Sequence, residues 1–247
     1  MKNINAIFDV GSNNGVDGIN YAVFNPKCII YAFEPNPYLR STIINNKKKV
    51  ENRLNYKIQN FKLVEKAVSD FNGRDNFYIA NEDLCSSLLR YNFVSVKKKI
   101  TVDIITLASF CQTKRINNII YLHVDTQGND LKVLIGLKNY RANLHRGILE
   151  TTKNIKYSRY KGSHSITEIK KYFLKWKFKI TKLEPNHLNH QEYNVFFLNS
   201  FFKSKENNLK AFIFNRRFIQ RIIDNREKFK DKLVIILIKF LKYFRLF

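Results

Sequence analysis

The residues able to do chemistry stand at the ends of apolar runs. The first run, Ile4 to Val10, closes in Asp9-Val-Gly11-Ser12-Asn13-Asn-Gly15. Glycines let a backbone turn sharply and approach a ligand, and a helix starting after such a turn offers free N–H groups to a carboxylate or phosphate. The spacing is G-x-x-x-G, not the G-x-G-x-x-G of dinucleotide sites, and it lacks the Lys-Ser/Thr ending of a P-loop. Alone, the turn suits a ligand loop and a plain tight turn equally well. The second run, Cys28 to Phe33, ends at Glu34 in Tyr31-Ala-Phe-Glu-Pro-Asn-Pro37. A carboxylate at the C-terminal end of a second strand can accept both hydroxyls of a ribose. The plain alternative is a surface Glu beside a turn, but the glycine turn before it favours the ribose reading.

The elements that must position these groups alternate. After the first strand and a short helix come the strand at Cys28, a helix near Tyr38 to Arg53 and a strand over Lys62 to Val68. Residues 74 to 105 read as short strands and turns. A helix near Leu107 leads to the apolar strand Ile119 to Asp125, a helix from Asp130 to Leu137 and a strand over Arg146 to Glu150. A helix from Ile166 to Lys175 precedes strands at Phe178 to Leu183 and Asn194 to Leu198. Alternation of this kind predicts an α/β fold with a mostly parallel sheet covered on both faces, and the last two strands predict an antiparallel hairpin at one edge.

Composition narrows the classes. The 247 residues include 44 Lys+Arg against 20 Asp+Glu, a formal charge of +24, with 45% apolar residues. The apolar share is ample for a core and argues against disorder. Cys28, Cys85 and Cys111 are an odd number without paired spacing, which argues against a disulfide framework or a four-Cys zinc site and for a reducing compartment. The first residues lack the apolar run of a secretory signal, and no stretch reaches the roughly 18 apolar residues of a membrane span. Lys outnumbers Arg 31 to 13, a bias that AT-rich coding produces, so the charge by itself assigns no function.

Taken together, Asp9-Val-Gly-Ser-Asn-Asn-Gly15 and Ala32-Phe-Glu-Pro-Asn-Pro37 resemble the FkbM family of S-adenosylmethionine-dependent methyltransferases. The likeness continues through Lys66-Ala-Val-Ser-Asp70 with Gly73, Ser86-Ser-Leu88, His123-Val-Asp-Thr-Gln-Gly128 with Leu131 and Leu134, and Asn194-Val-Phe-Phe197. It covers roughly residues 5 to 199. The resemblance implies a class I methyltransferase (Rossmann-like) fold of seven strands, and methyl transfer from S-adenosylmethionine, commonly to a hydroxyl oxygen of a sugar or polyketide-type acceptor. It implies that Asp9, Gly11, Ser12, Asn13 and Gly15 surround the amino-acid end of the cofactor, that Glu34 holds its ribose, and that Ser69 and Asp70 lie towards the adenine.

Methyl transfer to an alcohol needs in-line placement of the acceptor and removal of its proton. The ends of the fourth and fifth large strands offer Asp125 and Glu150 as the catalytic candidates. Asp125 could be a base, a substrate ligand or the cap of the next helix. Glu150 matches an acidic position of the family and divides between the active site and hydrogen bonding at the core edge. Gln127 stands where many relatives carry Glu, which removes one base and weakens any two-carboxylate metal site; no metal is expected. His123, where relatives more often have Lys or Arg, shares a strand face with Asp125 and is more simply structural. Tyr157, Tyr160 and His164 lie in a polar stretch where acceptor-binding loops often sit, and His123, Gln127, Tyr157 and His164 are the candidates for contact with the acceptor. His187 and His190 read as a solvated loop.

Beyond residue 200, taken as the end of the methyltransferase domain (1–200), a tail (201–247) carries 13 basic and 4 acidic residues, a net of +9. Ala211, Phe214, Phe218 and Ile222 recur at helical spacing. Leu233, Ile236, Leu237, Phe240, Leu241 and Phe244 fall on one arc of a second helix and Lys232, Lys239, Lys242 and Arg245 on another. That pattern predicts peripheral contact of 229–247 with an anionic membrane, packing on the domain, or an oligomer contact. The expected location is cytoplasmic, with the tail at a membrane surface. The leading functional expectation is O-methylation of a sugar or glycoconjugate. A nucleic-acid methyltransferase is the second, although no Asn/Asp-Pro-Pro-aromatic motif or Pro-Cys nucleophile supports it. A non-catalytic polyanion- or membrane-binding protein on the same fold is the third.

Overall fold

Strand β1 (Asn5–Val10) alternates its side chains between two cores, and that alternation organises the domain. In the computed structural model, residues 4–81, 85–92, 95–186, 191–202 and 216–243 are described. Ala6, Phe8 and Val10 face one layer, with Phe33, Phe110 and Leu122. Ile7 faces the other, with Val16, Ile19, Ile43 and Phe218.

The main sheet has seven strands. In addition to β1 they are β2 (Ile29–Phe33), β3 (Phe61–Val64), β7 (Asn118–Val124), β8 (Arg146–Thr152), β9 (Phe178–Pro185) and β10 (Glu192–Asn199), in the order β3-β2-β1-β7-β8-β10-β9. All pairings are parallel except those of β10, which runs antiparallel to both β8 and β9. The predicted late hairpin is therefore real, with β10 as its inner strand. The order reverses between β1 and β7, and the crevice at such a switch point is where open α/β sheets bind ligands.

Helices α1 (Val16–Phe24) and α2 (Arg40–Leu54) follow β1 and β2 on one face. Helices α3 (Leu107–Lys114), α4 (Asp130–Ile135) and α5 (Ile166–Lys175) complete the domain. The stretch predicted as one strand over Lys62 to Val68 is broken. Its second half, β4 (Ala67–Val68), leaves the main sheet and pairs with β6 (Val96–Ile105), which also pairs with β5 (Gly73–Ala80) in a small three-stranded sheet. An apolar run cannot report that its two halves bond to different partners.

The described helices of the tail, within 216–243, pack on the same body. Helix α6 (Arg216–Ile223) packs on α1 and α2, burying Phe218, Ile219, Ile222 and Ile223 in the core beside Ile7. Helix α7 (Phe229–Tyr243) adds Ile235 and Ile238 to that core. Ala211, Phe214 and Phe244, named in the sequence pattern, lie outside the described residues. No helix among the described residues is long and apolar enough to cross a membrane.

Candidate active site

Three turns meet at the C-terminal ends of β1, β2 and β7. The turn after β1 is left-handed at Gly11 (φ 84°), Asn13 (φ 49°) and Gly15 (φ 80°). A Cβ on Gly11 would lie 1.8 Å from the Asp125 carbonyl oxygen, so this glycine lets the β1 and β7 turns touch. A Cβ on Gly15 would press on the Ile43 side chain at 2.9 Å. Gly11 makes room for the neighbouring backbone and Gly15 for the Ile43 side chain, and Gly11, Ser12, Asn13 and Asn14 line the cavity.

Glu34 ties the first turn to the second. Its Oε2 accepts the Asn13 N–H and its Oε1 the Asn36 N–H, both at 2.8 Å. Burial pushes its carboxyl up to about 7 despite those two bonds. An acid in this state is ready to ionise when further donors arrive. Two ribose hydroxyls are such donors.

Beneath the turn, Asp9 is fully buried and accepts from Ser12 Oγ at 2.6 Å. Its other oxygen meets His123 Nδ1 at 2.7 Å. Burial would lower the His123 pKa, but the bond to Asp9 and the nearby Asp17 and Asp125 carboxylates raise it to about 9. The raised value favours the protonated imidazole beside Asp9. Strand β7 ends at Val124, so Asp125 lies just past it, held by donation from its N–H to the Val10 carbonyl at 2.9 Å.

The turn after β7 contains Gln127 in the left-handed region (φ 56°), a conformation that costs a non-glycine residue about 1 kcal/mol. Ser87 Oγ meets the Gln127 and Thr126 carbonyls at 2.8 and 3.1 Å. Tyr160 Oη donates to Gln127 Oε1 at 2.6 Å. The other end of the amide, Nε2, donates to Asp125 Oδ1 at 2.7 Å and reaches Glu150 Oε2 at 3.3 Å. Glu150 also accepts from Asn186. Burial, together with Asp125, Asp130 and Glu192, holds the Glu150 carboxyl well above the usual range. Asp130 accepts from Thr126 Oγ1 and the Gly128 N–H and rises to about 7, chiefly through burial and then Asp125.

These groups line one cavity of about 410 Å³, which includes Gly11, Ser12, Asn13, Glu34, His123, Asp125, Gln127 and Glu150. Its walls near Glu34 are apolar, from Phe33, Val68, Phe77 and Leu88. Volume and lining fit a molecule with a flat base, a ribose and a charged amino-acid end. Ala67 and Val68 line it, whereas Asp9, Gly15, Ser69 and Asp70 are not among its lining residues. Ser69 is buried, its Oγ 3.1 Å from Asp70 Oδ1 and 3.3 Å from Asn129 Oδ1. His164 lines a smaller neighbouring pocket with Asp130, Glu150 and Tyr160. Tyr157 ends a short turn, Ile155–Tyr157, and its side chain, like His187 and His190, lies outside what is described. No group of three metal-ligating side chains occurs among the described residues.

Several site residues carried little or no sequence signal. Asp17, Arg159, Asn186, Glu192 and Arg216 all line the cavity. Arg216 comes from α6 and pairs with Asp17 at 3.3 Å. For Asp17 a weak signal existed, since an acid in the first turn of the helix after a glycine turn faces the same crevice.

Residues 9–180 match the methyltransferase FkbM domain. The chain belongs to the FkbM family of S-adenosylmethionine-dependent methyltransferases. Among curated relatives, the 2-O-methyltransferase NoeI of Sinorhizobium fredii (strain NBRC 101917 / NGR234) is 27% identical over 146 residues, covering 53% of this chain and 57% of NoeI. The chain thus spans little more than half the length of that relative. Among solved structures, the methyltransferase FkbM of Methylobacillus flagellatus KT superposes with a TM-score of 0.51 at 12% identity, covering 80% of this chain and 45% of that one. At that identity the likeness concerns the fold. Within this FkbM domain, Glu34 and the Gly11–Asn13 turn would hold the cofactor, beside the carboxylates that flank Gln127.

Proposed function

We propose that the protein transfers a methyl group from S-adenosylmethionine to a hydroxyl oxygen of a carbohydrate or glycoconjugate. The observation that carries this reading is the pair of carboxyl groups, Asp125 and Glu150, joined by the Gln127 amide in the cavity that Glu34 also lines. When bound, the cofactor supplies an electrophilic methyl on a positively charged sulfur, which takes back the electron pair of the breaking C–S bond. Glu34 would accept the ribose hydroxyls, and the first turn with Asp17 and Arg216 would hold the amino-acid end. Burial and the nearby Asp125 charge raise the Glu150 carboxyl, and such a carboxyl beside the acceptor is a site for the proton that the attacking hydroxyl loses. Arg159, Asn186 and Glu192 offer fixed donors and acceptors around that point, as a polyhydroxylated acceptor requires.

Membership of the family and the 2-O-methyltransferase likeness support oxygen as the methylated atom. The test is incubation with label-bearing donor and a panel of sugars, nucleotide sugars and glycolipids. Recovery of label as a methyl ether supports the reading, and its absence with an intact Asp125 protein that binds donor counts against it.

A further inference from the structure

Helix α7 is apolar on two opposite faces. At about 100° per residue, Asp231, Ile235 and Ile238 fall on one side of the cylinder and Leu233, Ile236 and Leu237 on the other. The first side is buried, with Ile235 and Ile238 in the core and Asp231 paired to Arg221. The second is open: Leu233, Ile236 and Leu237 are 53%, 62% and 54% exposed. Three large aliphatic side chains at i, i+3 and i+4 spacing form a continuous stripe, whereas scattered exposed aliphatics are ordinary. Packing on the domain and an outward apolar face are therefore both properties of this helix, on different sides.

The surroundings of the stripe are cationic. Lys232 and Lys239 lie on one flank between the two faces and are exposed. Arg226 and Lys228, exposed, precede the helix, in a stretch where Glu227 is paired with Arg53 and Asp224 accepts from Gln220. An apolar stripe flanked by long basic side chains matches the interface of an anionic bilayer, where the stripe enters the acyl boundary and the ammonium groups stay among the headgroups. A second copy of the chain fits less well, because an antiparallel two-fold contact over this stripe would set each lysine flank near its own counterpart.

We propose that the outer face of α7, centred on Leu233, Ile236 and Leu237, docks the enzyme on the headgroup plane of an anionic membrane, and that it does so independently of which acceptor is methylated. The helix lies along the surface and does not span it. Because α6 and the inner face of α7 belong to the core, deletion of the tail would confound docking with unfolding, so surface substitutions are the better tool.

The test uses the full chain and sedimentation with vesicles of phosphatidylcholine alone or with phosphatidylglycerol. The wild type is expected to co-sediment with the anionic vesicles and to be released as salt rises from about 0.1 to 0.5 M. The triple variant Leu233→Gln, Ile236→Gln, Leu237→Gln should lose about tenfold or more of that partition. Lys232→Glu with Lys239→Glu should weaken binding to anionic vesicles without creating binding to neutral ones. Calorimetric S-adenosylmethionine binding, unchanged in both variants, reports that the fold is kept. No sedimentation of the wild type would overturn the proposal. Equal sedimentation of the triple variant would also overturn it, as would a dimer by light scattering that the triple variant abolishes.

Discussion

The Tyr160 hydroxyl donates to Oε1 of Gln127 at 2.6 Å, and this bond fixes which end of the Gln127 amide faces the two acids. With Oε1 occupied, Nε2 points to Asp125 and Glu150. An amide turned the other way would place an oxygen against two carboxyl groups. Tyr160 therefore acts on the acids through Gln127.

Removing the hydroxyl with Tyr160→Phe should lower kcat by roughly 3- to 30-fold, the scale of one hydrogen bond that orients a reacting group. Cofactor affinity should not change. Steady-state kinetics with parallel calorimetry checks this, and a loss confined to cofactor affinity would contradict the role given to Tyr160.

Replacing Gln127 by Glu removes the donor between Asp125 and Glu150 and adds a third carboxylate. The group that must be ionised for catalysis then loses a stabilising bond and gains a like charge, so its pKa rises. The acid limb of the pH–rate profile should move to higher pH by about one unit. A shift in the opposite direction would count against Gln127 favouring the ionised form of its neighbour.

Glu34 is raised to about 7 by burial in the free protein. Bound ribose hydroxyls favour its ionised form, so S-adenosylmethionine should bind more weakly as pH falls through 7. Glu34→Ala should reduce affinity by roughly 10- to 100-fold, as expected for losing bonds to a charged acceptor. Calorimetry across pH 5.5 to 8.5 measures both effects. A wild-type affinity that is flat with pH, or one unchanged in the variant, would remove the ribose assignment.

Much of this arrangement was legible in the residues. The period of apolar runs located the strands and helices, and the ends of those runs located Asp9, Glu34, Asp125 and Glu150 at one edge. What could not be read was any relation set by tertiary contact. The bond from Tyr160 to Gln127 joins distant segments, and Arg216 reaches Asp17 only because α6 folds back over α1. The helical arc of Leu233, Ile236 and Leu237 was visible, yet Ile235 and Ile238 on the other side decide how the helix sits. Ser69 and Asp70 were placed by likeness alone, and Val68 stands nearer the cavity than either.

His123, raised to about 9 in the fold against an ordinary 6.5, binds its proton more tightly in the native state. Its contribution is fully present below pH 6.5 and is lost as pH rises through 9. His123→Gln should therefore destabilise more at pH 6 than at pH 9.5. Chemical denaturation of both proteins at the two pH values reports the difference. An equal loss at both would mean that His123 is neutral in the fold.

The tail helix α6 should be indispensable to folding. Phe218 is 1% exposed in the core that contains Ile7 and Val16. Phe218→Ala should cost about 3 to 5 kcal/mol, or roughly 10 °C in Tm. Urea or thermal unfolding measures this, and a loss below about 1 kcal/mol would show that α6 is not held in the core.

The central claim is methyl transfer to a carbohydrate oxygen, and the most direct measurement offers one enzyme preparation a sugar and glycolipid pool beside total RNA with labelled S-adenosylmethionine. Mass spectrometry then locates the label. The account predicts a methyl ether on a sugar hydroxyl, lost in Asp125→Asn while cofactor binding persists. Label found only on nucleic acid, or on nitrogen in any acceptor, would contradict it.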